Sequence, residues 1–189
     1  MTASDTKTAL LDCAQDLIQR VGANAMSYND LSKTVGIRKA SIHYHFPKKE
    51  DLIIAILSRC REEYTEIYNE IIHSDHGAKH KLYMLCEIYE ENLRNDKTCI
   101  LGMLSVEYES LGEKIQAITQ EAIINSTKFY EQIFLQAIEE KSLSSEVNTY
   151  DAAYGFLSCL LGAQIMARCN NDIAGFTRVA KLYIEALIK

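Results

Sequence analysis

Proline is nearly absent from this 189-residue chain, which has one, and glycine is scarce, with eight. Sandwiches and barrels need turn residues about every ten positions, whereas long helices exclude both residue types, so the shortage points to an all-α fold. Long apolar runs are missing too. The longest, such as Leu52 to Leu57, fall far short of the roughly 20 residues that a bilayer-spanning helix requires. Met1-Thr-Ala-Ser-Asp-Thr-Lys7 lacks the apolar core of a secretory signal. The expectation is a soluble cytoplasmic protein without a membrane partner.

Six cysteines, at 13, 60, 86, 99, 159 and 169, form no CxxC pair, so they suggest reduced and mostly buried thiols rather than a zinc site or a disulfide framework. His73, His76 and His80 are separated by the break at Gly77 and completed by no acid or cysteine, so they read as loop histidines rather than metal ligands. No nucleotide-binding loop, nucleophile elbow or zinc helix is present, and no paired catalytic carboxylates are identifiable. Cys99 has no histidine beside it to act as a base. Neither a cofactor nor an enzymatic activity is expected.

A net charge of -6 argues against a nucleic-acid binder, because neutralising phosphates takes lysine and arginine. The average hides a local excess. Residues 1 to 55 carry seven basic and six acidic side chains, and between 36 and 49 there are four basic residues, two histidines and no acid. A small cationic patch rides on an acidic body.

Leu10, Leu11, Ala14, Leu17, Ile18 and Val21 fall on one helical face, and Gly22 follows as a C-terminal cap, which predicts a first helix over 5–21. Ser27 with Asp30 three residues on is a capping-box pattern, opening a short helix over 28–35 that stops at Gly36. Gly36 allows the positive φ of a sharp helix-helix turn. A third helix over 39–45 turns Ile42 inward, with Phe46 four residues on, and Pro47 ends it. A long helix follows, and helical patterns resume over 78–95, 100–109, 113–141, 149–169 and 173–188. About nine helices are expected, divided into a helix-turn-helix domain over 1–50 and a helical domain over 51–189.

The stretch Ser27-Tyr-Asn-Asp-Leu-Ser-Lys-Thr-Val-Gly-Ile-Arg-Lys-Ala-Ser-Ile-His-Tyr-His-Phe-Pro-Lys-Lys-Glu-Asp-Leu52 resembles the DNA-binding signature of the TetR family of transcriptional regulators. The likeness covers about 55 residues and departs at His43, where the family usually has tyrosine. It implies a regulator, most often a repressor, that holds double-stranded operator DNA as a homodimer and is released when its C-terminal domain is engaged. Ser27 and Lys49 would then meet phosphates at helix N-termini. Arg38, Lys39, Ser41, His43, Tyr44 and His45 would lie on or beside the recognition helix. Arg38 and Lys39 would face base edges, and Tyr44 and His45 would face phosphates.

Beyond the motif, the resemblance implies two late helices that pair with their symmetry mates. Ala152, Gly155, Cys159 and Gly162 form a small-residue face, and Phe176, Val179, Tyr183 and Leu187 form a matching one. Packing of the two stripes inside one chain is the other reading.

Thr98-Cys99-Ile-Leu-Gly-Met-Leu-Ser-Val-Glu107 looks like a segment from an electrophile- and oxidant-responsive branch of the family. That likeness implies Cys99 as a switch, with the helix dipole and Lys97 favouring its thiolate. The alternative effector is a small molecule of unknown identity held among Tyr68, Cys86, Tyr89, Cys99, Met103, Tyr130, Phe134 and Tyr154, with Glu107 as polar anchor. Plain core packing competes with every member of that set. A helical interaction module or an enzymatic domain that binds no DNA is also open, but it would leave the cationic segment without a purpose.

Overall fold

The computed structural model describes residues 3–189. Among them there are nine α-helices and no strand. In chain order they are α1 (Ala3–Val21), α2 (Tyr28–Val35), α3 (Lys39–His45), α4 (Lys49–His73) and α5 (Ala78–Arg94). There follow α6 (Ile100–Val106), α7 (Glu113–Glu139), α8 (Thr149–Asn170) and α9 (Ile173–Leu187). The helix expected over 100–109 is shorter than its apolar pattern. It ends at Val106 and passes through Glu107 into a 3₁₀ turn, Tyr108–Ser110. Ser110 holds that turn, donating to the Glu107 carbonyl from its backbone N–H at 2.9 Å and from its hydroxyl at 2.6 Å.

The chain forms two compact units. The first takes the chain up to Glu63 together with Ile100–Glu121, and the second takes Tyr64–Cys99 and Ala122–Lys189. The motif boundary drawn at residue 50 is therefore not the boundary of the compact unit. Leu52, Ile53, Ile56 and Leu57 of α4 are buried, and α6 packs on α1, so both belong with the N-terminal helices. Arg59 ties α4 to α1 by donating to Asp12 at 2.5 Å and to Gln15 at 2.6 Å.

In the second unit α5, α8 and α9 pack on one another around Tyr130, Phe134, Phe156 and Phe176. α8 starts on a side-chain cap, Asn148 accepting Asp151 N–H, and α9 on another, Asp172 accepting Gly175 N–H. By length and hydropathy α8 would suit a membrane span. Here it is a core helix, burying Ala153, Phe156, Leu157, Leu160 and Ala163.

Candidate nucleic-acid interface

Local chemistry builds the helix-turn-helix. The Ser27 hydroxyl accepts Asp30 N–H at 3.3 Å and donates to the Asp30 carboxylate at 2.5 Å. That carboxylate also accepts Ser27 N–H at 3.2 Å, which completes the capping box. Those bonds hold the Asp30 carboxyl below the usual carboxylate range. Gly36 takes φ +74° and sends its N–H to the Ser32 carbonyl at 3.1 Å, closing α2 in the left-handed conformation that a Cβ would disfavour. Ser32 then anchors the turn from its hydroxyl to the Ile37 carbonyl at 2.6 Å.

Across this turn α3 is held by its buried side, Ile42 and Phe46, and by Tyr28, whose hydroxyl donates to the Phe46 carbonyl at 2.8 Å. Burial, with a smaller push from the nearby Asp51 carboxylate, raises the Tyr28 phenol to about 12, so it stays a donor at neutral pH. The outer side carries residues that the sequence resemblance assigns to DNA contact. Arg38 and Lys39 are exposed at its start, and Tyr44 is 81% exposed near its end. Ser41 and His45 are half-buried, and the His45 ring meets Tyr44 edge-on at 5.2 Å.

His43 is exposed but already engaged. Its ring meets Tyr28 edge-on at 4.9 Å, and its Nδ1 lies 3.2 Å from the Pro47 carbonyl, a bond that requires a proton on Nδ1. Lys49 is also engaged: its ammonium donates to the Asn24 carbonyl at 3.3 Å. Burial lowers the Lys49 pKa, and the Glu107 charge opposes that shift.

The residues expected around an effector divide between the units. Tyr68, Tyr89 and Tyr130 converge in the second, with the Tyr130 hydroxyl 3.1 Å from each of the other two. All three phenols are pushed well above their ordinary value, first by burial. Cys86 and Phe134 are buried in the same core, and burial takes the Cys86 thiol up to about 12. Cys99 packs at its edge, donating its N–H to the Gln164 side chain at 2.7 Å. Tyr154 lies on the surface of α8, so it does not join the three phenols. Met103 and Glu107 belong to the first unit. Glu107 is not a vacant polar anchor, because its carboxylate accepts Ala23 N–H at 2.7 Å and Asn24 N–H at 3.2 Å. Gln164, which no sequence pattern singles out, is almost fully buried and also donates to the Tyr89 carbonyl at 3.0 Å.

The register expected for the dimer face needs correction. Phe176 is 1% exposed and Ala152 6%, too little for either to meet a partner chain. Tyr183 lies along the small-residue side of α8, donating from its hydroxyl to the Ala152 carbonyl at 2.9 Å and filling the space above Gly155. Cys159 and Leu187 are half-buried, while Gly162 and Val179 face solvent. The stripe is therefore largely the seam between α8 and α9. The large apolar side chains left exposed on these two helices are Tyr150, Tyr154, Ile165 and Met166 of α8 with Val179 and Leu182 of α9.

Comparison with known proteins gives the same picture over most of the chain. Residues 10–56 match the family described as "Bacterial regulatory proteins, tetR family", and residues 78–183 match "Tetracyclin repressor-like, C-terminal domain". The chain is 24% identical over 197 residues to the HTH-type transcriptional regulator AcrR of Shigella flexneri, covering 99% of this chain and 89% of that protein. A TetR-family transcriptional regulator from Agrobacterium tumefaciens superposes with a TM-score of 0.94 at 26% identity, over 100% of both chains. A TetR regulator from Legionella pneumophila reaches 0.87 at 26% identity, over 99% of this chain and 100% of the other.

Proposed function

Because the chain belongs to the tetR family of bacterial regulatory proteins, we propose that it represses transcription as a cytoplasmic homodimer whose two α3 helices enter successive major grooves of one operator. Binding of a small-molecule effector in the second unit, or modification of Cys99 at the edge of its core, releases the DNA. The observation that carries this reading is the two-sidedness of α3. Ile42 and Phe46 are buried behind it while Arg38, Lys39 and Tyr44 stand in solvent, so core packing does not account for those three side chains. A two-fold dimer presents that side twice, and half-sites about one helical turn apart follow from the symmetry.

Mapping the duplex protected upstream of the protein's own gene, then titrating it against salt, tests the reading. Arg38→Ala should cost about 1–3 kcal/mol of binding if the guanidinium reads a base edge. If it meets a phosphate instead, the salt slope should fall by about one. Binding equal to wild type in both respects would remove α3 from the interface.

A further inference from the structure

The turn between α1 and α2 is fixed by residues far away in the chain. Glu107, just past α6, accepts the N–H groups of Ala23 and Asn24 on its carboxylate. Three residues on, Ser110 accepts from Asn24 Nδ2 at 2.7 Å while donating to the Glu107 carbonyl. From another side the Lys49 ammonium takes the Asn24 carbonyl. The turn is thus held through its N–H groups by an anion and through a carbonyl by a cation. Gly22 makes room for this, since its φ of +91° suits glycine and a Cβ there would collide with Glu107 Oε1.

We propose that Glu107 is a positioning residue for DNA binding, setting the turn from which the capped N-terminus of α2 springs and the place of Lys49 at the start of α4. The turn runs directly into Ser27, and Lys49 opens the helix that follows α3, so a displaced turn misplaces both ends of the DNA-reading motif. Electrostatics alone gives the opposite sign. A carboxylate near DNA repels phosphate, and its removal should tighten binding. Positioning requires that removal weaken it, because charge-assisted bonds to two backbone N–H groups hold geometry that neutral substitutes do not. The proposal rests on DNA binding and not on any effector.

The test compares wild type with Glu107→Ala and Glu107→Gln, the second keeping the side-chain volume so that both variants cannot fail through a cavity alone. Amide hydrogen exchange and affinity for the protected duplex are read at fixed salt. In Glu107→Ala the Ala23 and Asn24 amides should exchange at least about tenfold faster, the amides of Ile42 and Phe46 should be unchanged, and affinity should fall about tenfold. Glu107→Gln should fall between, since one carboxamide oxygen replaces two carboxylate oxygens as acceptor. Unchanged or tighter duplex binding overturns the proposal. So does unaltered exchange at Ala23 and Asn24, or a loss of affinity accompanied by faster exchange throughout α1, α2 and α3, which is loss of folding rather than of position.

Discussion

Burial raises the thiols of Cys13 and Cys159 and takes that of Cys86 to about 12, so each holds little thiolate at neutral pH. Cys99 has different surroundings. Its backbone is fastened to Gln164, which is fastened to the Tyr89 carbonyl, and it packs against the core that holds the Tyr68, Tyr89 and Tyr130 cluster. An adduct on its sulfur would add volume beside a close-packed, hydrogen-bonded core, which cannot absorb it without moving side chains. If Cys99 is the modified thiol, native-state labelling should reach it roughly tenfold faster than Cys13 or Cys159. Equal rates would remove Cys99 as the proposed switch. Glu107 teaches a related lesson, because an acid near apolar residues in sequence reads as a ligand anchor until its partners, 83 and 84 positions away, are known.

At seven residues α3 is too short to hold itself together in water, so its stability comes from what it packs on. Tyr28 supplies a hydrogen bond to its C-terminal end and an edge for the His43 ring. Tyr28→Phe keeps the ring and removes the hydroxyl, so it should cost about 1 kcal/mol and lower the melting temperature by roughly 2–4 °C for a chain of this size. A melt superimposable on wild type would show that water replaces the bond at no cost. The motif was legible in sequence because its determinants are local. Ser27 and Asp30, Gly36, and Pro47 each act within a few residues, and α2 and α3 have the bounds their patterns predict. The helical faces were less legible. Val21 continues the α1 stripe yet is exposed, and α8 is apolar around so much of its circumference that periodicity cannot say which side meets α9. Small residues at Ala152 and Gly155 signalled close approach correctly, but the close neighbour is Tyr183 of the same chain.

For the whole molecule, Tyr154, Ile165, Met166, Val179 and Leu182 are exposed apolar side chains of α8 and α9, and the proposed homodimer would cover them if it pairs through these helices. Pairing through α8 and α9 would form a four-helix contact in which each chain meets the same surface of the other. It would also let an acidic chain, -6 overall, bind DNA by doubling the cationic segment on one duplex. Two substitutions on α9 separate assembly from folding. Leu182, 68% exposed, contributes little to the core, so Leu182→Glu should leave the melting of the monomer nearly unchanged. It should shift sedimentation toward the monomer and abolish tight binding to a two-half-site duplex, because the charges of two mates would be buried unpaired. Phe176→Ala should do the reverse, costing about 3–5 kcal/mol of stability through the cavity it leaves while the folded fraction still sediments as a dimer. A Leu182→Glu protein that remains dimeric at micromolar concentration would place the two-fold contact elsewhere and separate the exposed α8–α9 face from operator binding.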